Sequence, residues 1–273
     1  MIKPFRDKFI PNALTIAGSD PSGGAGIQAD LKSFSANRVY GMSVLTALTA
    51  QNTLGVSGIH KVPKKFIENQ LNTIFHDIKV DAIKIGMVAN SDIAKVIFKN
   101  VKNRDVNHIV IDPVMVAKGG AKLLEDDAID VLRDKLFNIA DIITPNLPEA
   151  ALLTGRRCAK SKSEMLYQAK YMLDMGPRAI FLKGGHLEGS TSPDLLLTGE
   201  IEKWFESDRI DTTNTHGTGC TLSSAICANL ARGLEIEKAA EDAKLFVTNS
   251  IKHSNKLEVG HGHGPTHHFH GLW

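Results

Sequence analysis

The chain has 273 residues, of which 42% are hydrophobic and 23% are charged, values typical of a soluble globular protein with a sizeable core. It carries 32 Lys and Arg residues against 30 Asp and Glu, so no strong positive field predicts binding to nucleic acid or to an anionic membrane. Three scattered cysteines and the lack of any apolar run approaching about 18 residues predict a reduced, cytoplasmic protein made without a leader or a membrane span.

Short apolar runs alternate with amphipathic segments along most of the chain, and the two patterns predict different elements. The apolar runs are mostly continuous, as expected of strands buried on both faces, and lie at 12–18, 42–53, 82–88, 108–115, 140–146 and 179–185. Segments of helical period lie between them, at 26–38, 63–78, 91–103, 126–137 and 163–176. After residue 186, two β-like runs around a Thr-Gly-Glu turn predict a hairpin, and two helices are predicted at 217–233 and 235–254.

This order of elements predicts a three-layer α/β/α fold with a central, mainly parallel sheet. No repeat, low-complexity linker or break in composition divides the chain, so we expect one domain over residues 1–273. Ligands of such sheets bind at the carboxyl ends of the strands. The side chains expected at that edge are Ser19, Asp20, Gln51, Asn52, Met87, Asp112, Asn146, Glu149 and Lys183.

The segment "NTHGTGCTLSSAICANLARG" at 214–233 predicts an anion site at the start of a helix. Gly217, Thr218 and Gly219 allow a tight turn whose free amides face a phosphate or a developing oxyanion. Cys220 follows at once, where the helix field is expected to lower the thiol pKa and make the sulfur a proton acceptor. The alternative is that Cys220 is a small buried hydrophobe, as is expected of Cys227, and the motif leaves both open.

A second glycine-rich loop, "AGSDPSGGAGIQADLK" at 17–32, contains a loose dinucleotide fingerprint at 24–29. The next predicted strand ends in "AQNT", without the acidic residue that holds a ribose, and no Gly-Lys-Ser/Thr follows. A loop that caps a small polar substrate therefore fits better than a dinucleotide site.

Three further groups of residues are ambiguous. Asn146 and Glu149 match a helix capping box, and they also match the oxygen ligands of hydrated Mg²⁺. Asp112 and Lys118 lie beside a glycine pair, and Lys183 precedes Gly184 at a strand end. The tail holds His261, His263, His267, His268 and His270, but the spacing lacks a closed four-ligand zinc pattern.

Taken together, these motifs resemble the hydroxymethylpyrimidine/phosphomethylpyrimidine kinases of thiamin biosynthesis, members of the ribokinase-like superfamily. The matching segments are "AGSDPSGGAGIQADLK", "TALTAQNT", "IKIGM", "DPVMVAK", "TPNLPEA", "KGGH", "DTTNTHGTGCTLSSAI" and "GHGHGP", in the family's order. The resemblance implies a ribokinase-like α/β fold, a homodimer, ATP and Mg²⁺. It also implies phosphorylation of 4-amino-5-hydroxymethyl-2-methylpyrimidine and then of its monophosphate.

The resemblance also implies roles for individual residues. Gln51 would hold the aminopyrimidine edge, in a pocket shaped by Ala17, Asp30, Met87 and Val114. Asn146 and Glu149 would serve Mg²⁺, and Asp112, Lys118, Lys183 and Gly184 would lie beside the nucleotide. Lys183 and the 217–219 amides would stabilise the transferred charge, and Cys220 would be the base. The alternatives are a vitamin B6 kinase, a nicotinamide-dependent oxidoreductase that uses the 24–29 glycines, and a catalytically idle ligand sensor.

Overall fold

The structure is a computed structural model, and it describes residues 9–117 and 119–273. Eight strands form the main sheet in the order β10-β9-β8-β7-β6-β5-β1-β2, and β3 and β4 form a separate antiparallel pair. The strands are β1 (Asn12–Ala17), β2 (Tyr40–Leu45), β3 (Ala47–Asn52), β4 (Gly55–Lys61), β5 (Ala82–Ile85), β6 (His108–Ile111), β7 (Ile142–Ile143), β8 (Ala179–Lys183), β9 (Asp194–Thr198) and β10 (Glu202–Phe205). The strands from β8 to β2 pair in parallel, whereas β9 and β10 are antiparallel.

Helices cover both faces of the sheet and enclose two apolar cores. They are α1 (Gly26–Ala36), α2 (Lys64–Asp77), α3 (Ser91–Val101), α4 (Asp127–Val131), α5 (Leu147–Thr154), α6 (Lys162–Leu173), α7 (Thr218–Ala231) and α8 (Ile236–Lys252). Side chains of α1, α7 and α8 pack on one face, and those of α2 to α6 pack on the other. The strands are apolar on both faces because both faces are covered.

Several helix ends follow directly from local sequence. Asn90 begins α3 by accepting a hydrogen bond from the Ile93 amide at 3.0 Å, and Ser161 begins α6 in the same way. Gly155 ends α5 with φ of 65°, a left-handed conformation that glycine adopts without strain. No described helix is both long enough and apolar enough to span a bilayer.

The predicted mainly parallel sheet, the hairpin at β9–β10 and the two final helices are confirmed, but the single strand at 42–53 is wrong. The chain bends at Thr46, whose amide donates to the Ala17 carbonyl and whose hydroxyl donates to the Met87 carbonyl. β2 ends there, and β3 leaves the main sheet to pair with β4. The segment 126–137 also departs from one helix, because a π-helical turn (Leu132–Leu136) follows α4.

The order of strands reverses beside β1, which places a crevice at the carboxyl edge of the sheet. From β1 the chain moves to β2 on one side, and it later returns to β5 on the other. Parallel α/β sheets bind ligands at such a reversal. The β3–β4 hairpin rises from the same edge, since β3 begins two residues after β2 ends.

Candidate active site

A buried cluster of charges lies at the carboxyl ends of β6, β7 and β8. Lys183 Nζ lies 2.9 Å from Asp112 Oδ1 and 3.8 Å from Glu149 Oε2. Asp112 also accepts hydrogen bonds from Thr144 and Ser223, at 3.1 and 3.3 Å. Adjacent parallel strands bring these residues together although they are distant in sequence.

The two carboxyl groups of the cluster, Asp112 and Glu149, differ in pKa. Burial raises the pKa of Glu149 to about 7. The positive charge of Lys183 opposes this increase, and the negative charge of Asp112 adds to it. Burial also opposes ionisation of Asp112, but Lys183 and Lys84 hold its pKa below the usual value. The pKa of Lys183 is raised, because the two carboxylates outweigh its desolvation.

The start of α7 faces this cluster. Gly217 precedes the helix with φ of 77°, and a Cβ there would collide with the Gly24 carbonyl, so the two glycine-rich loops touch. A Cβ on Gly219 would lie 3.2 Å from Lys183 Nζ and 3.6 Å from Asp112 Oδ2. Helix amides and a lysine therefore converge, which is an arrangement that can bind a phosphoryl group.

Cys220 is half-buried in the first turn of α7, and the expectation of a lowered thiol pKa is wrong. Burial raises the pKa of Cys220 to about 11, opposed by Lys84 and reinforced by the negative charges of Asp30 and Asp112. Desolvation and these two carboxylates outweigh Lys84 and a backbone hydrogen bond with Gly26, both of which lower the thiol pKa. Cys227, by contrast, is fully buried in the core, as expected.

Asn146 and Glu149 form the capping box of α5. Glu149 Oε2 accepts from the Asn146 amide at 2.7 Å, and Asn146 Oδ1 accepts from the Glu149 amide at 2.8 Å. A carboxylate oxygen has two acceptor sites, so capping leaves lone pairs for a cation. These oxygen donors fit Mg²⁺, which keeps several waters and shares phosphate oxygens. No described group of three or more His, Cys, Asp or Glu residues could hold a metal alone.

The residues expected to form the substrate pocket differ in exposure. Gln51 and Val114 are partly exposed near the crevice, and Met87 is nearly buried. Ala17 is 1% exposed and Asp30 is 0% exposed, so these two lie beneath the surface of the crevice. The Asp30 carboxylate binds Lys84 Nζ at 2.9 Å and accepts hydrogen bonds from two hydroxyls, Thr15 Oγ1 and Ser224 Oγ, both at 2.6 Å.

Lys118 and Gly184 were also predicted to lie beside the nucleotide. Lys118 lies outside the described residues. Gly184 follows β8, and its amide donates to Asp194 Oδ1 at 2.8 Å. Lys183, one residue earlier, is therefore the member of this pair whose polar group faces the charge cluster.

The glycine loop after β1 is closed by its own aspartate. Asp20 accepts hydrogen bonds from the amides of Ser22, Gly24 and Ala25, at 2.9, 3.2 and 2.8 Å. In a dinucleotide site the corresponding amides would face a pyrophosphate. Here these amides already donate to Asp20, which disfavours the hypothesis that residues 24–29 form the cofactor site of an oxidoreductase.

Sequence reasoning missed His216. Its Nε2 lies 2.8 Å from Asp20 Oδ2 and 3.4 Å from Gln51 Nε2, and its ring packs against Gly24. His216 directly precedes the glycine turn of α7, and this position was the available signal. Gln51, His216 and His263 line one small cleft between the hairpin and the loop that contains Gly119.

The histidine-rich tail packs along the site. The amides of Gly262 and His263 donate to Thr53, and the His216 amide donates to the Gly264 carbonyl. His268 Nε2 lies 2.9 Å from Thr221 Oγ1 on α7. The tail thus joins the β3–β4 hairpin to α7. A separate cavity of about 500 Å³, near Asn12 and Asp81, lies at the opposite edge of the sheet, and none of the described site residues lines it.

The fold and this site together define a small-molecule kinase: a parallel α/β sheet presents a lysine and a glycine-led helix start to a polar crevice. The family model described as phosphomethylpyrimidine kinase matches residues 20–267. The chain is 48% identical over 262 residues to the hydroxymethylpyrimidine/phosphomethylpyrimidine kinase of Escherichia coli K12, covering 96% of this chain and 98% of that protein. The chain therefore belongs to the phosphomethylpyrimidine kinase family, and the family resemblance is confirmed.

Solved structures agree with the ribokinase-like α/β fold. A phosphomethylpyrimidine kinase from Clostridium difficile 630 matches with a TM-score of 0.78 and 44% identity, covering 89% of this chain and 100% of that chain. An ADP complex of Bacillus subtilis pyridoxal kinase matches with a TM-score of 0.88 and 41% identity, covering 95% of this chain and 98% of that chain.

Proposed function

We propose that the protein phosphorylates 4-amino-5-hydroxymethyl-2-methylpyrimidine with ATP, and then phosphorylates the monophosphate to the diphosphate. Family membership and the similarity to the hydroxymethylpyrimidine/phosphomethylpyrimidine kinase of Escherichia coli support this proposal. The observation that carries it is the convergence of Lys183, Asp112 and the start of α7, where Gly219 lies against the lysine. Phosphoryl transfer depends mainly on positioning and on neutralising charge, which such a convergence supplies.

In this proposal, Gln51 binds the aminopyrimidine edge, and Val114 and Met87 contact the ring. Ala17 and Asp30, being buried, act by supporting the pocket from below. The crevice between the hairpin and α7 holds the ring with its hydroxymethyl group towards Cys220.

The transferred phosphoryl group lies between Lys183 and the amides of Gly217, Thr218 and Gly219. Mg²⁺, when bound at Asn146 and Glu149, would neutralise phosphate charge. Asp112 orients Lys183, and Lys118 and Gly184 belong to the nucleotide side. In the first transfer, the Cys220 thiol first releases its own proton to solvent. The substrate hydroxyl oxygen then bonds to the γ-phosphorus, the bond to ADP breaks, and the hydroxyl proton moves to the Cys220 thiolate.

Phosphorus NMR of a reaction with ATP, Mg²⁺ and the pyrimidine alcohol tests the proposal. The monophosphate ester should appear first and the diphosphate later, with ADP formed at each step. ATP that stays intact with this alcohol would reject the proposal. The same outcome is expected of an idle ligand sensor.

A second candidate is a vitamin B6 kinase, because a pyridoxal kinase has the same fold at 41% identity. Pyridoxine also presents a hydroxymethyl group on a flat heteroaromatic ring. Comparison of kcat/KM for the two alcohols separates the candidates, and we expect the pyrimidine to be preferred.

We also propose a homodimer in which the outward face of the β3–β4 hairpin is buried. Leu48 is 45% exposed on that face, whereas Thr49 and Gln51 point inward. Leu48→Asp should convert a dimer to a monomer in light scattering. A wild-type protein that is monomeric at micromolar concentration would reject this assignment.

A further inference from the structure

We propose that Thr49 and His216 fix the orientation of the Gln51 side-chain amide and thereby select an aminopyrimidine over other flat alcohols. Both are positioning residues that act through Gln51. The inference deepens the proposed function and rests on it, because it takes Gln51 as the contact with the pyrimidine.

Gln51 lies between two hydrogen-bonding partners. Thr49 and Gln51 are two residues apart on β3, so their side chains share the inward face of the hairpin. Thr49 Oγ1 lies 3.2 Å from Gln51 Oε1, and His216 Nε2 lies 3.4 Å from Gln51 Nε2. The partners decide which end of an amide is oxygen and which is nitrogen, because a half-turn exchanges the two atoms.

The Thr49 hydroxyl has one hydrogen, and that hydrogen is already used. Thr49 Oγ1 lies 2.8 Å from the Ser19 carbonyl oxygen, which can only accept a hydrogen bond. The hydroxyl must therefore donate to Ser19, and it can only accept from Gln51. This partner requires the NH₂ group of the Gln51 amide.

The His216 ring presents a hydrogen on Nε2. The partner of that atom, Asp20 Oδ2 at 2.8 Å, belongs to a carboxylate with a lowered pKa: burial opposes ionisation, but bonds from His216, Ser22 and Ala25 outweigh it. An ionised carboxylate has no hydrogen to donate, so Nε2 must carry the proton whether the ring is neutral or charged. That hydrogen is donated mainly to Asp20, but Nε2 has no lone pair left to accept with, so the positively polarised N–H favours the oxygen of the Gln51 amide over its NH₂ group at 3.4 Å.

Both ends thus favour one orientation, with NH₂ towards Thr49 and the oxygen towards His216, which exchanges the Oε1 and Nε2 positions whose distances are given above. The reverse orientation would set two donors against each other at His216 and two acceptors against each other at Thr49. Two partners that act together hold the amide before a ligand arrives. One N–H and one oxygen lone pair then remain for a ligand.

The remaining donor and acceptor match an amino group beside a ring nitrogen. The pyrimidine alcohol carries that pair, whereas pyridoxine has no amino group beside its ring nitrogen. A fixed amide offers its donor and acceptor in one order, and a ligand with the wrong pattern leaves a polar group unpaired. Selectivity would therefore depend on Thr49 and His216, although neither needs to touch the ring.

Calorimetric titration of the protein with the pyrimidine alcohol and with pyridoxine, without nucleotide, tests the inference. Thr49→Val should weaken binding of the pyrimidine alcohol by about 10-fold, the effect of one lost hydrogen bond, and change pyridoxine binding little. Thr49→Ser keeps the hydroxyl and should restore affinity to within about twofold of the wild type. Ser57→Ala is the matched control, since Ser57 Oγ donates to the Ala50 carbonyl in the same hairpin and has no bond to Gln51.

The Gln51→Ala variant separates failure of this inference from failure of the contact itself. If Gln51→Ala weakens pyrimidine binding while Thr49→Val does not, the orienting role is wrong and the contact survives. If Gln51→Ala has no effect, the contact fails and the inference falls with it.

Nitrogen-15 NMR of the wild-type histidines tests the protonation of His216 Nε2 directly, without ligand binding. The His216 signal, assigned by its loss in His216→Asn, should show a protonated Nε2. A neutral ring with its only proton on Nδ1 would overturn the inference.

Discussion

Cys220 is protonated at neutral pH, and this bears on how the first phosphoryl transfer proceeds. Its pKa of about 11 reflects burial and the nearby carboxylates of Asp30 and Asp112. A sulfur that accepts a proton must first lose its own. The second transfer has an ionised phosphate as acceptor, so it does not need the base that we propose for the first.

Replacing Cys220 should therefore affect the two transfers differently. Cys220→Ala should slow phosphorylation of the alcohol by about 10²-fold, a usual contribution of a general base, and largely spare phosphorylation of the monophosphate. Single-turnover rates for each acceptor measure this. Equal losses in both steps would show that Cys220 positions substrate and is not a base.

The pH dependence of thiol alkylation provides an independent check. Because the pKa of Cys220 is raised, its thiolate is scarce at pH 7, and alkylation by iodoacetamide should keep accelerating up to about pH 11. The first transfer should accelerate with pH in parallel. The experiment needs a Cys158→Ser background, because Cys158 is exposed. A plateau below pH 8 would contradict the raised pKa.

At the scale of elements, the contact between the loop before α1 and the start of α7 builds the site. Gly217 has φ of 77° and lies where a Cβ would meet the Gly24 carbonyl. Gly24 in turn lies against His216, so one close approach positions both the α7 amides and the polar partner of Gln51. Glycine is required here by space as well as by conformation.

Two alanine substitutions separate these requirements. Gly233 follows α7 with φ of 80° and open space around it, so Gly233→Ala should cost only the left-handed conformation, about 1–2 kcal/mol. Gly217→Ala should cost more and should also lower kcat/KM, since the loops must separate. Urea denaturation with steady-state kinetics measures both. Equal losses of stability with full activity in both variants would argue against the close approach.

The whole molecule is joined beneath the site by a buried ion pair. Lys84 on β5 and Asp30 on α1 are both 0% exposed, and Asp30 also accepts from Thr15 on β1 and Ser224 on α7. Burial opposes the charge on Lys84, but Asp30 first, then Cys220 and Asp112, raise its pKa. One ion pair thus links four elements and also lies in the electrostatic environment of Cys220.

Breaking this pair should destabilise the protein strongly. Lys84→Met leaves a buried, unpaired carboxylate and should lower the free energy of unfolding by about 3–5 kcal/mol. Lys64→Met is the control, because Lys64 pairs with Asp92 at 2.9 Å on the surface and should change stability by at most about 1 kcal/mol. Similar losses in both variants would show that the buried pair has no special weight.

Much of the fold could be predicted from local pattern. Continuous apolar runs indicated strands buried on both faces, and alternation with helices indicated a parallel sheet. The bend at Thr46 could not be predicted, because it depends on bonds to Ala17 and Met87. The pattern of apolar and polar residues is the same whether the segment continues as one strand or divides between two sheets.

The family, the order of elements and the residue types at the carboxyl edge could all be inferred from the amino-acid sequence, because they depend on spacing along the chain. Tertiary structure decided the thiol pKa of Cys220, the partners of Asp30 and the place of His216 beside Gln51. Charge and hydrogen bonding act through space, and His216 and Asp20, 2.8 Å apart, are separated by 196 positions in the chain.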